Sequence, residues 1–206
     1  MWRSRAIDKT SKKLIKYFQR QKGLASYSDI INAGFHKSTI VKLLEEGQIE
    51  RISRSLYRLA EGVEISNPDL VIASIKIPNG VICLISALSF HEATNEIPQF
   101  VEIAIPRNTH KTKLDYPPIR FYRISEKMWK AGIETHSIEG HNIKVYSLTK
   151  TIADCFKFRN KIGSNVAREA LKIAIQEKNA SPQEIIHFSK ICRVEKIVKP
   201  LIETLL

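Results

Sequence analysis

The sequence predicts an α+β protein: an N-terminal winged helix-turn-helix followed by a small mixed sheet packed with a C-terminal helical group. Three observations carry this. Between Leu24 and Leu59 two helical periods, parted at Gly34, give way to strand-type alternation. Between Val81 and Tyr146 short β-rich runs are separated by Pro, Gly and polar stretches. From Ser147 onward the apolar residues recur at helical spacing. The polar stretch AEGVEISN at 60–67 separates the two patterns, so residues 1–62 form one expected domain and 67–206 a second.

Residues 10–21 are read as the first helix, with Leu14, Ile15 and Phe18 inward and Lys12, Lys13, Lys16 and Arg20 outward. Ser26 is suited to cap a second helix through Tyr27, Ile30 and Ile31 to Ala33, because its hydroxyl can accept from free N–H groups of the opening turn. Gly34 stops that helix. A third helix is expected to start at a Ser38 cap, carry Ile40, Leu43 and Leu44 on its inner face, and end at Gly47. Ile49, Ile52, Leu56, Tyr57 and Leu59 then mark two strands around a turn at Ser53-Arg54, the wing.

In helix-turn-helix docking the start of the second helix of the motif enters the major groove while basic neighbours hold phosphates. His36, Lys37, Ser38, Thr39 and Lys42 are therefore the candidate groove contacts, and Arg51, Arg54 and Arg58 those of the wing. Glu45 and Glu46 would repel phosphate and should mark where contact ends. Charge supports duplex DNA as partner over a purely protein-packing role. The net charge is +12, and residues 1–62 hold 13 Lys and Arg against 6 Asp and Glu, leaving 20 against 15 for the rest.

In the second domain, Asn67-Pro68 opens a helix to Ile77, and Pro78-Asn79-Gly80 turns the chain. Val81–Ile85 is an apolar strand, followed by a short helix capped by Ser86. Phe100–Ile105 alternates as a strand with Glu102 opposite Val101, Ile103 and Ile105. Residues 107–118 read as an exposed, mobile basic loop, Ile119–Ile124 as a strand, and 132–138 with 141–146 as a hairpin at Glu139-Gly140. Helices are expected at 147–158, 163–178, 182–192 and 194–205.

Composition narrows the chemistry. Cys83, Cys155 and Cys192 are dispersed among apolar neighbours and read as reduced, buried residues. The six histidines have no zinc-type spacing, so no metal and no cofactor is expected. No run approaches the ~20 apolar residues of a membrane span and the N-terminus lacks a secretory pattern, which places the protein in the cytoplasm. As a nuclease the chain is poor: Glu102 is the best-placed carboxylate, but position 104 is Ala where Glu-x-Lys would put a lysine. His91 and Glu92 could form an acid–base pair, but a single His after an apolar strand more often serves structure. Lys150 and Asp154 are i, i+4 on a helix, where the ordinary meaning is a local ion pair of ~0.3 kcal/mol. No enzyme activity is expected.

Several segments together resemble the AbiEi family of antitoxins of bacterial type IV toxin–antitoxin, abortive-infection systems. They are LLEEGQIERISRSLYRL at 43–59, PNGVICLISALSFHEAT at 78–94, IEGHNIKVYSLTKTIADCFKFRNKIG at 138–163 and RVEKIVKPLIETLL at 193–206. One departure is at the wing, where the family shows Arg-Gly-Leu-Tyr and this chain has Arg54-Ser55-Leu56-Tyr57. The resemblance implies a winged helix that represses its own operon at promoter repeats. It also implies a C-terminal domain that counters a nucleotidyltransferase toxin as part of phage defence, without a stable complex being required. It points to Lys150, Asp154, Lys157, Arg159 and Lys161, in the third segment, as candidates for that second role. The alternatives are a transcriptional regulator with a ligand-sensing C-terminal domain and a DNA-targeted nuclease; an adjacent nucleotidyltransferase gene would favour the antitoxin.

Overall fold

The computed structural model describes residues 8–53, 55–61, 66–110, 114 and 116–206. The chain is α+β and divides into two compact units, the first reaching Ser66 and the second beginning at Asn67, with the short segments 114–116 and 139–141 grouping with the first.

The first unit is a winged helix. Helix α1, Lys9–Arg20, is capped by Asp8, whose carboxylate accepts from the N–H groups of Thr10 and Ser11. It buries Leu14 and Phe18 and leaves Lys12, Lys13, Lys16 and Arg20 exposed. Strand β1, Leu24–Ser26, leads into α2, Tyr27–Asn32, and Ser26 caps that helix by accepting from Asp29 N–H at 3.1 Å. Gly34, at φ +87°, makes the turn that a side chain would strain. Helix α3, Lys37–Glu45, follows, then β2, Ile49–Ser53, and β3, Leu56–Leu59. The strands form a sheet in the order β1-β3-β2, both pairings antiparallel, with a register shift between Arg51 and Ser53. Phe18, Ile30, Ile40, Leu43, Ile49 and Tyr57 meet in its core.

Two expectations are corrected here. The cap of α3 is His36, extended at φ −84°, ψ 151°, so Ser38 lies in the first turn rather than before it. Strand β1 was not anticipated, because three residues carry no periodicity and become a strand only by pairing with β3.

In the second unit α4, Pro68–Lys76, precedes β4, Val81–Ile82, and α5, Leu84–Phe90. Then come β5, Val101–Pro106; β6, Ile119–Ile124; α6, Glu126–Lys130; and the hairpin β7, Ile133–Ile138, with β8, His141–Tyr146. The sheet order is β6-β5-β4-β8-β7; β4 runs antiparallel to β5 but parallel to β8, and β5 parallel to β6. Helices α7, Leu148–Lys157; α8, Arg159–Ile162; α9, Ser164–Gln176; α10, Pro182–Cys192; and α11, Glu195–Glu203 complete it. Helix α7 is central: every residue from Thr149 to Phe156 is buried, against α5, α9, α10 and α11.

The expected strand at 81–85 stops at Ile82, and Ser86 is not a cap. Cys83 flanks α5, Leu84 opens it at φ +49°, and the Ser86 hydroxyl donates to the Phe100 carbonyl while accepting from Glu102 N–H. An apolar run buried on both sides looks the same as strand or helix, so its sequence could not place that boundary. In the loop read at 107–118, residues 111–113 and 115 lie outside the described residues.

Candidate nucleic-acid interface

Helix α3 has one core face and one outward face. Thr39, Ile40 and Leu43 are buried, whereas Lys37, Ser38, Val41 and Glu45 are exposed and Lys42 is partly so. Positions 37, 38, 41, 42 and 45 fall on one stripe of a 3.6-residue helix. Thr39 is therefore corrected as a base contact: at 9% exposure it packs beneath the stripe. Val41, 41% exposed and not among the expected contacts, stands on the outward stripe. The spacing held the signal: Thr39 is i, i+4 to Leu43 and so borders the core face.

The charges around this stripe are unequal. His36 and Lys37, at the helix entrance, are exposed and form no ion pair among the described residues. Lys42 is committed: its ammonium lies 2.5 Å from Asp8 and 3.9 Å from Glu46. That hydrogen bond from Lys42, with the Ser11 and Thr10 amides, holds the Asp8 carboxyl down at about 2. On the wing, Arg58 pairs with its cross-strand neighbour Glu50 at 2.6 Å, both exposed, and Arg51 is exposed. Such surface pairs are worth little. Arg54 lies outside the described residues.

A basic helix-turn-helix with an uncovered second helix and a β-wing is thus complete between α1 and β3. Residues 12–60 match the AbiEi_4 family, described as transcriptional regulator, AbiEi antitoxin. The AbiEi match begins inside α1 and ends just past β3, so it covers the winged helix. No curated protein matches the chain. Among solved structures the chain is similar in fold to the RV2827C protein from Mycobacterium tuberculosis, at a TM-score of 0.55 and 11% identity, over 97% of this chain and 83% of that one.

Beyond the matched segment, the candidate residues of the second unit separate. Lys150 and Asp154 are not a surface pair. They are 0% and 2% exposed, 2.5 Å apart, with the ammonium over the Tyr146 ring at 4.1 Å and the second Asp154 oxygen accepting from Cys192 Sγ. Burial pushes the Asp154 carboxyl above its ordinary value, opposed by Lys150. Both side chains belong to α7 and are buried, and the Cys192 thiol ties Asp154 to α10, so the pair does not present its charge on the surface. Lys157 and Lys161 are exposed and Arg159 half-buried, so these three remain on the surface side. Sequence reading missed Tyr146 and Cys192 in this cluster, since they lie 4 residues before Lys150 and 38 after Asp154.

The residues weighed for catalysis have structural partners. Glu102 is 3% exposed; its carboxylate accepts from Tyr122 O–H and Ile85 N–H. Burial raises it, and those bonds oppose the shift. His91 donates through Nε2 to the Tyr146 carbonyl at 2.8 Å, while Glu92 pairs with Lys178, so the two do not act together. The three cysteines are free and buried, as expected. Among the described residues no group of three or more His, Cys, Asp or Glu is placed to hold a metal, and no helix is long and apolar enough to cross a membrane.

Proposed function

We propose that this chain is a DNA-binding antitoxin that represses its own operon by docking the outward stripe of α3 in the major groove at promoter repeats, while its second unit counters a nucleotidyltransferase toxin. The observation that carries the reading is the uncovered stripe of α3 within the segment that matches the AbiEi regulator family. Lys37 and Ser38 stand at the helix entrance, where side chains reach base edges, with His36 beside them. Lys42, once it exchanges Asp8 for phosphate, and Arg51, Arg54 and Arg58 on the wing would neutralise the backbone. Exposed Lys157 and Lys161, with half-buried Arg159 between them, are the basic residues of the second unit assigned to the antitoxin role.

The test is fluorescence anisotropy on duplexes carrying the promoter repeats and on scrambled duplexes over a salt series. Arg54→Ala is expected to weaken both alike and to lower the slope of log K against log salt by about 0.9. Ser38→Ala is expected to leave the slope alone and cost about 1–3 kcal/mol on the operator only. Binding without salt dependence, or no preference for the repeats, would remove the DNA reading. Survival on toxin induction, scored with the neighbouring nucleotidyltransferase, tests the antitoxin half.

A further inference from the structure

We propose that a recess among α7, α8, α9 and α11 binds a small phosphate monoester bearing an apolar ring, with Arg159 and Arg168 as the anion ligands. The recess is a pocket of about 260 Å³. Its wall has an apolar part, made by Phe156, Ile197, Pro200 and Leu201, and a polar part, made by Arg159, Arg168 and Ser164. No lining residue is acidic. This reading is independent of DNA binding by the first unit.

The two guanidinium groups are the first argument. Neither forms an ion pair among the described residues, although charged groups elsewhere in the same unit do, as in Lys178–Glu92 and Lys190–Glu195. Arg159 donates one N–H to the Phe156 carbonyl at 2.9 Å, which fixes its plane and leaves the rest of its fork for another acceptor. Two like charges on one recess repel, and an anion between them removes the repulsion. Across residues 157–172 there are five Lys and Arg against the single carboxylate Glu169, so the local field has one sign.

Helix geometry adds to the field. Ser164 and Arg168 are i, i+4 on α9 and share a face, and Ser164 is the first residue of that 13-residue helix. Its N-cap is Gly163, with no side-chain cap and no acid in the first turn, so the positive end of the helix dipole is not neutralised locally. A phosphate monoester presents three terminal oxygens and close to two charges, matching two guanidinium forks better than one carboxylate does.

The apolar part of the wall decides against a bare ion. Ile197, 38% exposed, and Leu201 are i, i+4 on α11 and line the recess with Pro200. An inorganic anion would leave that surface wet; a ring carried by the phosphate would cover it. The volume is just below the roughly 300 Å³ at which ligand pockets begin, which suits a ligand of mononucleotide size with part of its surface in solvent.

The experiment uses the full chain with AMP, inorganic phosphate and adenosine as probes, followed by ¹⁵N-detected arginine side-chain resonances and by calorimetry. AMP is expected to shift the Arg159 and Arg168 signals and to bind more tightly than phosphate, with adenosine not binding. Arg168→Gln, at an exposed position and checked for native circular dichroism, is expected to weaken AMP by about tenfold, or 1.4 kcal/mol. Ile197→Ser should weaken AMP but not phosphate. The proposal is overturned if millimolar AMP leaves both arginine signals unmoved, if adenosine binds as well as AMP, or if Arg168→Gln binds AMP as the parent does. Duplex DNA moving these signals while AMP does not would assign the arginines to nucleic-acid backbone and also overturn it.

Discussion

Replacing Lys150 by Met tests whether the buried ion pair organises the second unit. The substitution roughly preserves side-chain volume on α7 but leaves the buried Asp154 with the Cys192 thiol and no cation. An uncompensated buried carboxylate costs about 3–5 kcal/mol. The carboxyl can escape by taking a proton. From an ordinary value of 3.8, holding it neutral at pH 7 costs about 4.4 kcal/mol, at 1.36 kcal/mol per unit. The two figures agree, so the expected loss at pH 7 is about 4 kcal/mol. The variant then folds with one more proton than its unfolded chain holds above pH 3.8, so its stability falls as pH rises. The deficit should shrink to about 1.6 kcal/mol at pH 5 by the same slope. Adding Asp154→Leu should recover most of the loss, because an apolar pair replaces a buried ion pair at little cost or a gain. Urea denaturation followed by Trp129 fluorescence in a Trp2→Phe background measures each. A loss under about 1 kcal/mol at pH 7, the scale of an exposed pair, or one that does not change with pH, would refute the reasoning.

Asp8→Asn keeps the cap of α1 but removes the carboxylate that Lys42 must give up on reaching phosphate, so duplex affinity should rise on any sequence; anisotropy showing no rise would mean Lys42 does not reach phosphate. Ser26→Ala removes the cap of α2 and should cost about 1 kcal/mol in denaturation. Gly132→Ala should cost more than the ~1 kcal/mol of backbone strain alone, since Gly132 sits at φ +69° and a Cβ there would lie 2.7 Å from Lys150 Cβ. Burial holds His91 below 6.5, so the unfolded chain takes the proton first; its contribution is present above pH 6.5 and lost as pH falls through its folded value. His91→Gln should flatten the stability loss between pH 7 and 5, seen by thermal melts.

The sequence by itself determined the elements whose signals are local. Ser26 and Gly34 bracket α2, Leu14 and Phe18 mark the buried face of α1, Glu139-Gly140 turns the β7–β8 hairpin, and the helical period after Ser147 holds through α11. Caps, turns and periodicity act within a few residues, so they are written in a few residues. The clustering of charge in the first third likewise needed only counting. Tertiary structure decided what depends on distant partners. Strand β1 exists because β3 accepts it, and Thr39 faces inward because the core closes over it together with Ile40 and Leu43. Glu102 is a buried hydrogen-bond acceptor because β5 runs between β4 and β6, with Tyr122 and Ile85 beside it. Lys150–Asp154 reads on paper as an ordinary i, i+4 surface pair, and only the packing of α10 and Tyr146 around α7 removes its water and changes its meaning. Burial is a property of the whole assembly of elements, and no window of sequence around a residue contains the atoms that will exclude solvent from it.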